Sequence, residues 1–326
     1  MPANLTPEFE KAQQQFCEAK TIEERIAALQ QMLAVVPKHN GTEKLQADIK
    51  RRLSQLRRDA QKAPVRKGPD PFHIPKSGAG QVVLIGLPNT GKSSLLAAVT
   101  DAEVKVADYP FTTVLPQPGM WTTDDVQIEL IDTPPLTAEH VPSGLMGTIR
   151  NADVVGIVVE AGDSALDQAE TVLGVLRNRG LAIRSVPANQ INRTDPSLRS
   201  GLIIANKADL AGADTVESLK ALYSGTLDVL AVSAQTRTGL GELFKRLWEL
   251  LAMIRVYSKE PGKPADLHKP FTLPIGSTVA DLARLIHREL PETMKFARLW
   301  GHGRFNGQQV PKTELLHDCD IVEIHE

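Results

Sequence analysis

Residues 82–99 read VVLIGLPNTGKSSLLAAV, and this stretch decides the fold. An apolar run long enough for one buried strand leads into Gly86-Leu87-Pro88-Asn89-Thr90-Gly91-Lys92-Ser93, and an amphipathic helical pattern follows from Ser94. Strand, glycine-bounded loop and helix in that order form the Walker A phosphate loop. The glycines let backbone N–H groups turn toward phosphate oxygens, and the start of the helix adds its positive dipole. Lys92 is placed to neutralise the outer phosphates, and the Ser93 hydroxyl is placed to reach Mg²⁺. Gly86, Pro88, Asn89, Thr90, Gly91, Lys92, Ser93 and Ser94 are the candidate phosphate-binding residues.

Short apolar runs continue outward from this loop (VQIELID, ADVVGIVVE, GLIIANK, DVLAVSA), separated by helical stretches such as ALDQAETVLGVLRNRG and GLGELFKRLWELLAMI. Alternating strands and helices predict a mostly parallel sheet covered on both faces, with its ligand at the carboxyl ends of the strands. GLIIANK ends in Asn206-Lys207-Ala208-Asp209, about 115 residues beyond the phosphate loop, and the next strand ends in Ser233-Ala234-Gln235. A carboxylate such as Asp209 can accept from both N1–H and the exocyclic amine of guanine, a donor pair adenine lacks. The nucleotide is therefore GTP or GDP, with Asn206, Lys207, Asp209, Ser233, Ala234 and Gln235 around the base.

VQIELID ends at Asp132, placed to hold Mg²⁺, yet the next residues are Thr133-Pro134-Pro135 where many nucleotide switches carry DxxG. Pro135 has no N–H to give a γ-phosphate, and its φ is fixed near −65°. The following segment LTAEHVPSGLMGTIRNAD is expected to be differently shaped and stiffer than a glycine-rich switch. Leu136 stands where a water-orienting glutamine often follows, and Glu139 and His140 are nearby polar groups that fit solvated loop positions more simply than catalysis.

The remaining sequence frames this region. The chain has 326 residues, 42% of them hydrophobic, enough for two or three domains. No apolar run is long enough to span a membrane and no signal-like N-terminus appears, so a cytoplasmic protein with no membrane partner is expected. Cys17 and Cys319 lack metal-like spacing and are expected as small buried hydrophobes. Residues 7–62 carry helical patterns, with Pro7 at a first helical position, a capping box from Thr21, and Leu45, Ile49, Leu53 and Leu56 at helical spacing. Residues 38–67 hold ten Lys or Arg against three acids; a solvated helix face and an anionic partner such as RNA both fit. After YSKEPGKPAD, FTLPI, a helix from Ser277 and strands at FARLW and DIVEIH predict a small mixed domain. Val279, Leu282, Leu285 and Ile286 are expected in its core, while Trp300, His302, Arg304 and Phe305 form either a contact surface or, for the two aromatics, core.

GLPNTGKSSLL, DYPFTT, NKAD and SAQ resemble the Obg-type GTPases, and residues from PFTLPIGSTVADLARLIHREL to the C-terminus resemble the TGS domain of the developmentally regulated GTP-binding proteins, the DRG branch. The resemblance implies an α/β fold: a Ras-like P-loop G domain (80–256), preceded by a helical, locally basic region (1–68) and followed by a β-grasp TGS domain (264–326). It implies GTP hydrolysis with Lys92, Thr113 and Asp132 as catalytic residues and Ser93, Thr113 and Asp132 around Mg²⁺. Thr112 is the alternative switch threonine. In K⁺-activated relatives the position of Asn89 helps hold a monovalent cation, so K⁺ is implied as well. The implied partners are the ribosome or RNA, and possible accessory proteins at the TGS domain. Asn206 follows Asp132 by only 74 positions, so the domain inserted there in the DRG branch is expected to be missing. Because of Pro135, a guanine-nucleotide sensor with little or no hydrolysis is the alternative function.

Overall fold

The computed structural model describes residues 7–18, 22–36, 43–62, 71–100, 115–123, 125–137, 139, 141–142, 144–192, 195, 197–303 and 305–325. The chain forms two units, Met1–Pro69 and Asp70–Glu326. In the first, helices α1 (Pro7–Glu18), α2 (Ile22–Val35) and α3 (Glu43–Lys62) share a core of Phe9, Ala12, Leu29, Met32, Val36, Ile49 and Leu53. Ile49 and Leu53, one turn apart, face that core, and Arg51 and Arg52 between them are exposed. The capping box expected from Thr21 and the side chain of Leu56 lie outside the described residues.

The second unit opens with the sheet that carries the phosphate loop. Its strands are β1 (Gln81–Ile85), β2 (Gln117–Thr123), β3 (Val126–Asp132), β4 (Val154–Glu160), β5 (Ala182–Arg184), β6 (Leu198–Asn206) and β7 (Val229–Ala231). The order is β2-β3-β1-β4-β6, and β5 and β7 both pair with β6, at residues 198–200 and 203–205 respectively. All pairs are parallel except β2 with β3. β2 escapes sequence recognition because QPGMWTT carries Pro118 and Gly119 with no clear alternation, a composition that only an edge strand tolerates.

Successive residues of β1 face opposite layers. Val83 and Ile85 pack with Leu145 and Ile149 of α5 (Leu145–Asn151), Val172 and Leu176 of α6 (Ala165–Asn178), and Leu219 of α7 (Ala213–Tyr223). Val82 and Leu84 pack with Leu95 and Leu96 of α4 (Lys92–Val99) and with Leu243, Leu247 and Leu250 of α8 (Leu240–Leu251). Burial on both faces is why these strands read as unbroken apolar runs.

The second sheet has the order β11-β10-β12-β8-β9, formed by β8 (Met253–Lys259), β9 (Phe271–Pro274), β10 (Phe296–Trp300), β11 (Gln308–Val310) and β12 (Asp320–His325). β8 and β12 run parallel, and α9 (Val279–Ile286) and α10 (Leu290–Thr293) supply core residues to the same sheet. Three expectations are corrected here. The helix expected to run through Met253 and Ile254 stops at Leu251, where Ala252 adopts φ 55° and the chain turns into β8; the expected break after residue 256 thus falls inside a strand of the second sheet. Leu285 and Ile286 are 53% and 40% exposed, because the short α9 buries only Val279, Leu282 and Ala283. Cys319 is exposed, held in a left-handed turn (φ 66°) whose amide donates to the Arg255 carbonyl. Phe305 is 72% exposed and Trp300 half-buried under the Lys259 ammonium, while the side chain of Arg304 lies outside the described residues.

Asp125, in the turn between β2 and β3, ties the two sheets together. It accepts from the Tyr257 hydroxyl (2.7 Å) and pairs with Arg255 (3.4 Å), both on β8. Burial and the Asp125 carboxylate push the Tyr257 hydroxyl up to about 12. A hydrogen bond to a charged, largely buried acceptor contributes about 1.5–3 kcal/mol. Asp125→Asn and Tyr257→Phe should each lower the melting temperature of the full chain by several degrees, and the double variant should lose less than their sum. Strict additivity in thermal unfolding would show that the two side chains act independently.

Candidate functional site

The carboxyl ends of β1, β3, β4, β6 and β7 converge on one edge of the first sheet, and every described residue expected at the nucleotide lies there. Gly86 directly follows β1; a Cβ there would stand 2.3 Å from the Val158 carbonyl oxygen, so only glycine lets the loop leave the strand at this angle. The Thr90 hydroxyl donates to the Leu87 carbonyl at 3.1 Å, and Asn89 is exposed with φ 62°. Gly91 precedes α4 with φ 87° and puts no side-chain cap on the helix, whose N-terminal dipole end favours an anion. Ser94 is half-buried on that first turn.

Lys92 is 6% exposed and donates to the carbonyls of Leu87 (2.9 Å) and Gly86 (3.2 Å). Burial lowers its ammonium from the ordinary lysine value to about 8, and the Asp132 carboxylate partly opposes that fall. Asp132 is fully buried at the end of β3, opposite Leu84 in register. The Ser93 hydroxyl donates to its Oδ2 at 2.6 Å. The Ser93 hydroxyl and Asp132 carboxylate are oxygen ligands suited to a hard divalent ion, and the buried ammonium beside them suits a phosphate.

The segment after Asp132 is built into the core. Thr133 donates through its hydroxyl to the Leu84 carbonyl (2.7 Å), Pro134, Pro135 and Leu136 are buried, and the Leu136 amide donates to the Gly86 carbonyl (3.0 Å). Leu136 packs in the same cluster as Ile131, Leu145 and Ile149. The residue at the usual glutamine position is therefore a core residue. Glu139 is exposed; His140, Thr112 and Thr113 lie outside the described residues.

Asn206 ends β6 and is 1% exposed. Its amide nitrogen donates to the carbonyls of Thr90 (3.1 Å) and Gly91 (3.3 Å), and its oxygen accepts from the Ala234 amide (3.1 Å). The side chain thus joins the phosphate loop to the 233–235 turn, and a Cβ on Gly91 would stand 2.2 Å from its amide nitrogen. Lys207 holds φ 60° and pairs with Glu160 at 2.8 Å, while Asp209 and Gln235 face solvent. Ser233 is buried, with its hydroxyl accepting from the Thr236 amide at 3.0 Å. Glu160 and Thr133 were missed by sequence reasoning; the one available signal for Glu160 is an acid closing an otherwise apolar strand.

Residues 81–187 match the family described as 50S ribosome-binding GTPase, and residues 254–326 match the TGS domain. The second unit is therefore a Ras-like P-loop G domain joined to a TGS domain, and the chain is a GTP-binding protein of that class. Along its length it is similar to the developmentally regulated G-proteins. It is 26% identical to developmentally-regulated G-protein 1 of Arabidopsis thaliana, covering 92% of this chain and 90% of that one. It is 25% identical to GTP-binding protein 1 of Schizosaccharomyces pombe (92% and 98%) and 27% identical to an uncharacterized GTP-binding protein of Halobacterium salinarum (93% and 98%). No helix among the described residues is long and apolar enough to cross a membrane.

The lowered Lys92 gives nucleotide affinity a pH dependence. Phosphates favour the ammonium and raise its pKa on binding, so below about pH 8 the free site already carries the charge, whereas above it binding must first take up a proton. Affinity for GDP should be flat from pH 6.5 to 7.5 and fall toward tenfold per pH unit as pH rises past 8, with roughly half a proton taken up per GDP bound at pH 8. Calorimetry at pH 8 in buffers of different ionisation enthalpy measures this uptake, and zero uptake would contradict the assignment.

Proposed function

We propose that this protein is a slow GTPase that cycles between GTP and GDP states in the cytoplasm and docks on the ribosome or RNA through its appended regions. The Ser93 hydroxyl on the Asp132 carboxylate, beside the buried Lys92, carries this reading. Lys92 would exchange its two carbonyl partners for the phosphates, to which the first-turn amides of α4 also donate. Asp209 would accept from the guanine N1–H and amine, and the backbone of Ser233, Ala234 and Gln235 would face the guanine oxygen. Mg²⁺ held by Ser93, Thr113 and Asp132 would supply positive charge where the phosphates separate. K⁺ beside Asn89 would supply the charge that an arginine finger gives elsewhere.

A second reading is supported by the Leu136 amide, which is committed to Gly86, and by the buried prolines before it. With no glycine amide there to follow a γ-phosphate, the protein would sense guanine nucleotide and recruit a partner with little turnover. Single-turnover GTP hydrolysis in Mg²⁺, comparing K⁺ with Na⁺, separates the two. Turnover raised by K⁺, lost in Lys92→Ala and made cation-independent in Asn89→Ala supports the enzyme. Firm GTP binding without turnover, even with ribosomes added, supports the sensor.

Association with the ribosome or RNA is supported by the basic residues at 38–67, of which Arg51 and Arg52 are exposed, and by the TGS domain, which also offers a surface to accessory proteins. Counterion release then predicts that affinity for ribosomes or RNA falls steeply with salt. Reversing Arg51, Arg52, Arg57 and Arg58 to Glu should lower the slope of log K against log salt by about 0.7–0.9 for each phosphate that is no longer neutralised. An unchanged slope would return the segment to a solvated helix face.

A further inference from the structure

The TGS domain holds a cluster of side chains that nucleotide binding does not use. His302 lies in the turn after β10, His317 in the loop before β12, and Asp320 is the first residue of β12, next to β10 in the sheet. Asp320 is 1% exposed. Its Oδ1 accepts from the His302 amide (3.0 Å) and its Oδ2 from the His317 amide (2.7 Å), so both histidine backbones are fastened around one carboxylate. The two imidazoles lie with ring centres 3.7 Å apart at 43°, and His302 Nδ1 is 2.6 Å from Asp320 Oδ2. Gly301 makes the wrapping possible: it adopts φ 132°, and a Cβ there would stand 2.2 Å from Asp320 Oδ1.

We propose that His302, His317 and Asp320 form a binding site for a borderline divalent transition metal, Zn²⁺ in the first instance. Each residue offers one ligand atom, and the three atoms lie within 4.8 Å of one another. Tetrahedral Zn²⁺ with bonds of about 2.0–2.2 Å needs ligand atoms about 3.3–3.6 Å apart. Closing that difference takes only rotation of the two histidine rings, which border solvent, while the carboxylate stays where its backbone bonds hold it. The proton that His302 Nδ1 shares with Asp320 moves to Nε2, and the ion takes its place between nitrogen and oxygen. Two neutral imidazoles and one carboxylate suit Zn²⁺, Co²⁺ or Cu²⁺ far better than Mg²⁺ or Ca²⁺, which prefer oxygen throughout. The exposed side gives the ion its path in and leaves room for water as a fourth ligand. Cys319 is adjacent in sequence, but its thiol contacts Asp318 at 3.5 Å and stands outside the ligand set.

The test is Co²⁺ titration of the full, chelator-treated chain with millimolar Mg²⁺ and GDP present, followed by displacement with Zn²⁺. We expect one equivalent bound, visible d–d bands of a four-coordinate ion, no sulfur-to-cobalt charge-transfer band, and Zn²⁺ displacing Co²⁺. His302→Gln and His317→Gln should each weaken Zn²⁺ binding by at least the 10–100-fold that loss of an orienting partner costs. GDP affinity and the metal-free melting temperature should stay unchanged in both, which shows that the variants fold. Absence of saturable binding, binding indifferent to both substitutions, or a thiolate charge-transfer band would each overturn the proposal.

Discussion

The nucleotide edge is organised around one buried amide. Asn206 reaches from the end of β6 to two carbonyls of the phosphate loop and accepts from the turn after β7. Three strand ends that are far apart in sequence are thereby held at one spacing, set by the hydrogen bonds of a side chain that is itself buried. The arrangement also restricts its neighbours, because Gly91 must lack a Cβ for the amide to fit. A buried amide with every polar atom engaged is costly to leave unpaired. The phosphate loop and the turn after β7 are therefore joined in one hydrogen-bonded frame.

Much of this was legible in sequence, and what was not has physical reasons. Walker A and NKAD are visible because the loop needs residues of restricted conformation at fixed spacing, and because buried parallel strands appear as bare apolar runs. The hydrogen bonds of Asn206 are invisible there, since they depend on which strand ends become neighbours in space. Two TGS core assignments failed for a related reason: Leu285 and Ile286 share the apolar character of Val279 and Leu282, but they are the last two residues of α9, beyond the Val279, Leu282 and Ala283 that it buries. Cys319 misled because its conformation is decided by a turn, whereas its hydrophobicity suggested burial.

The prolines after Asp132 show how composition and packing agree. A glycine at that point would supply a free amide and conformational range. Here the chain instead runs under the core, with Thr133 bonded to β1 and Leu136 bonded to Gly86. The carboxylate at Asp132 keeps its place at the strand end, while the residues beyond it give up freedom to move.

The bond between Asp125 and Tyr257 takes on a mechanical meaning in this light. Asp125 sits at the far tip of the β2–β3 ribbon, whose other end carries Asp132 at the phosphate site. Seven residues of paired strand make a stiff strut of about 23 Å, and a strut passes displacement along its length with little bending. Its distal end is gripped by β8, the strand that opens the TGS sheet, so the attitude of that sheet is referenced to the same ribbon that ends at Ser93 of the phosphate loop.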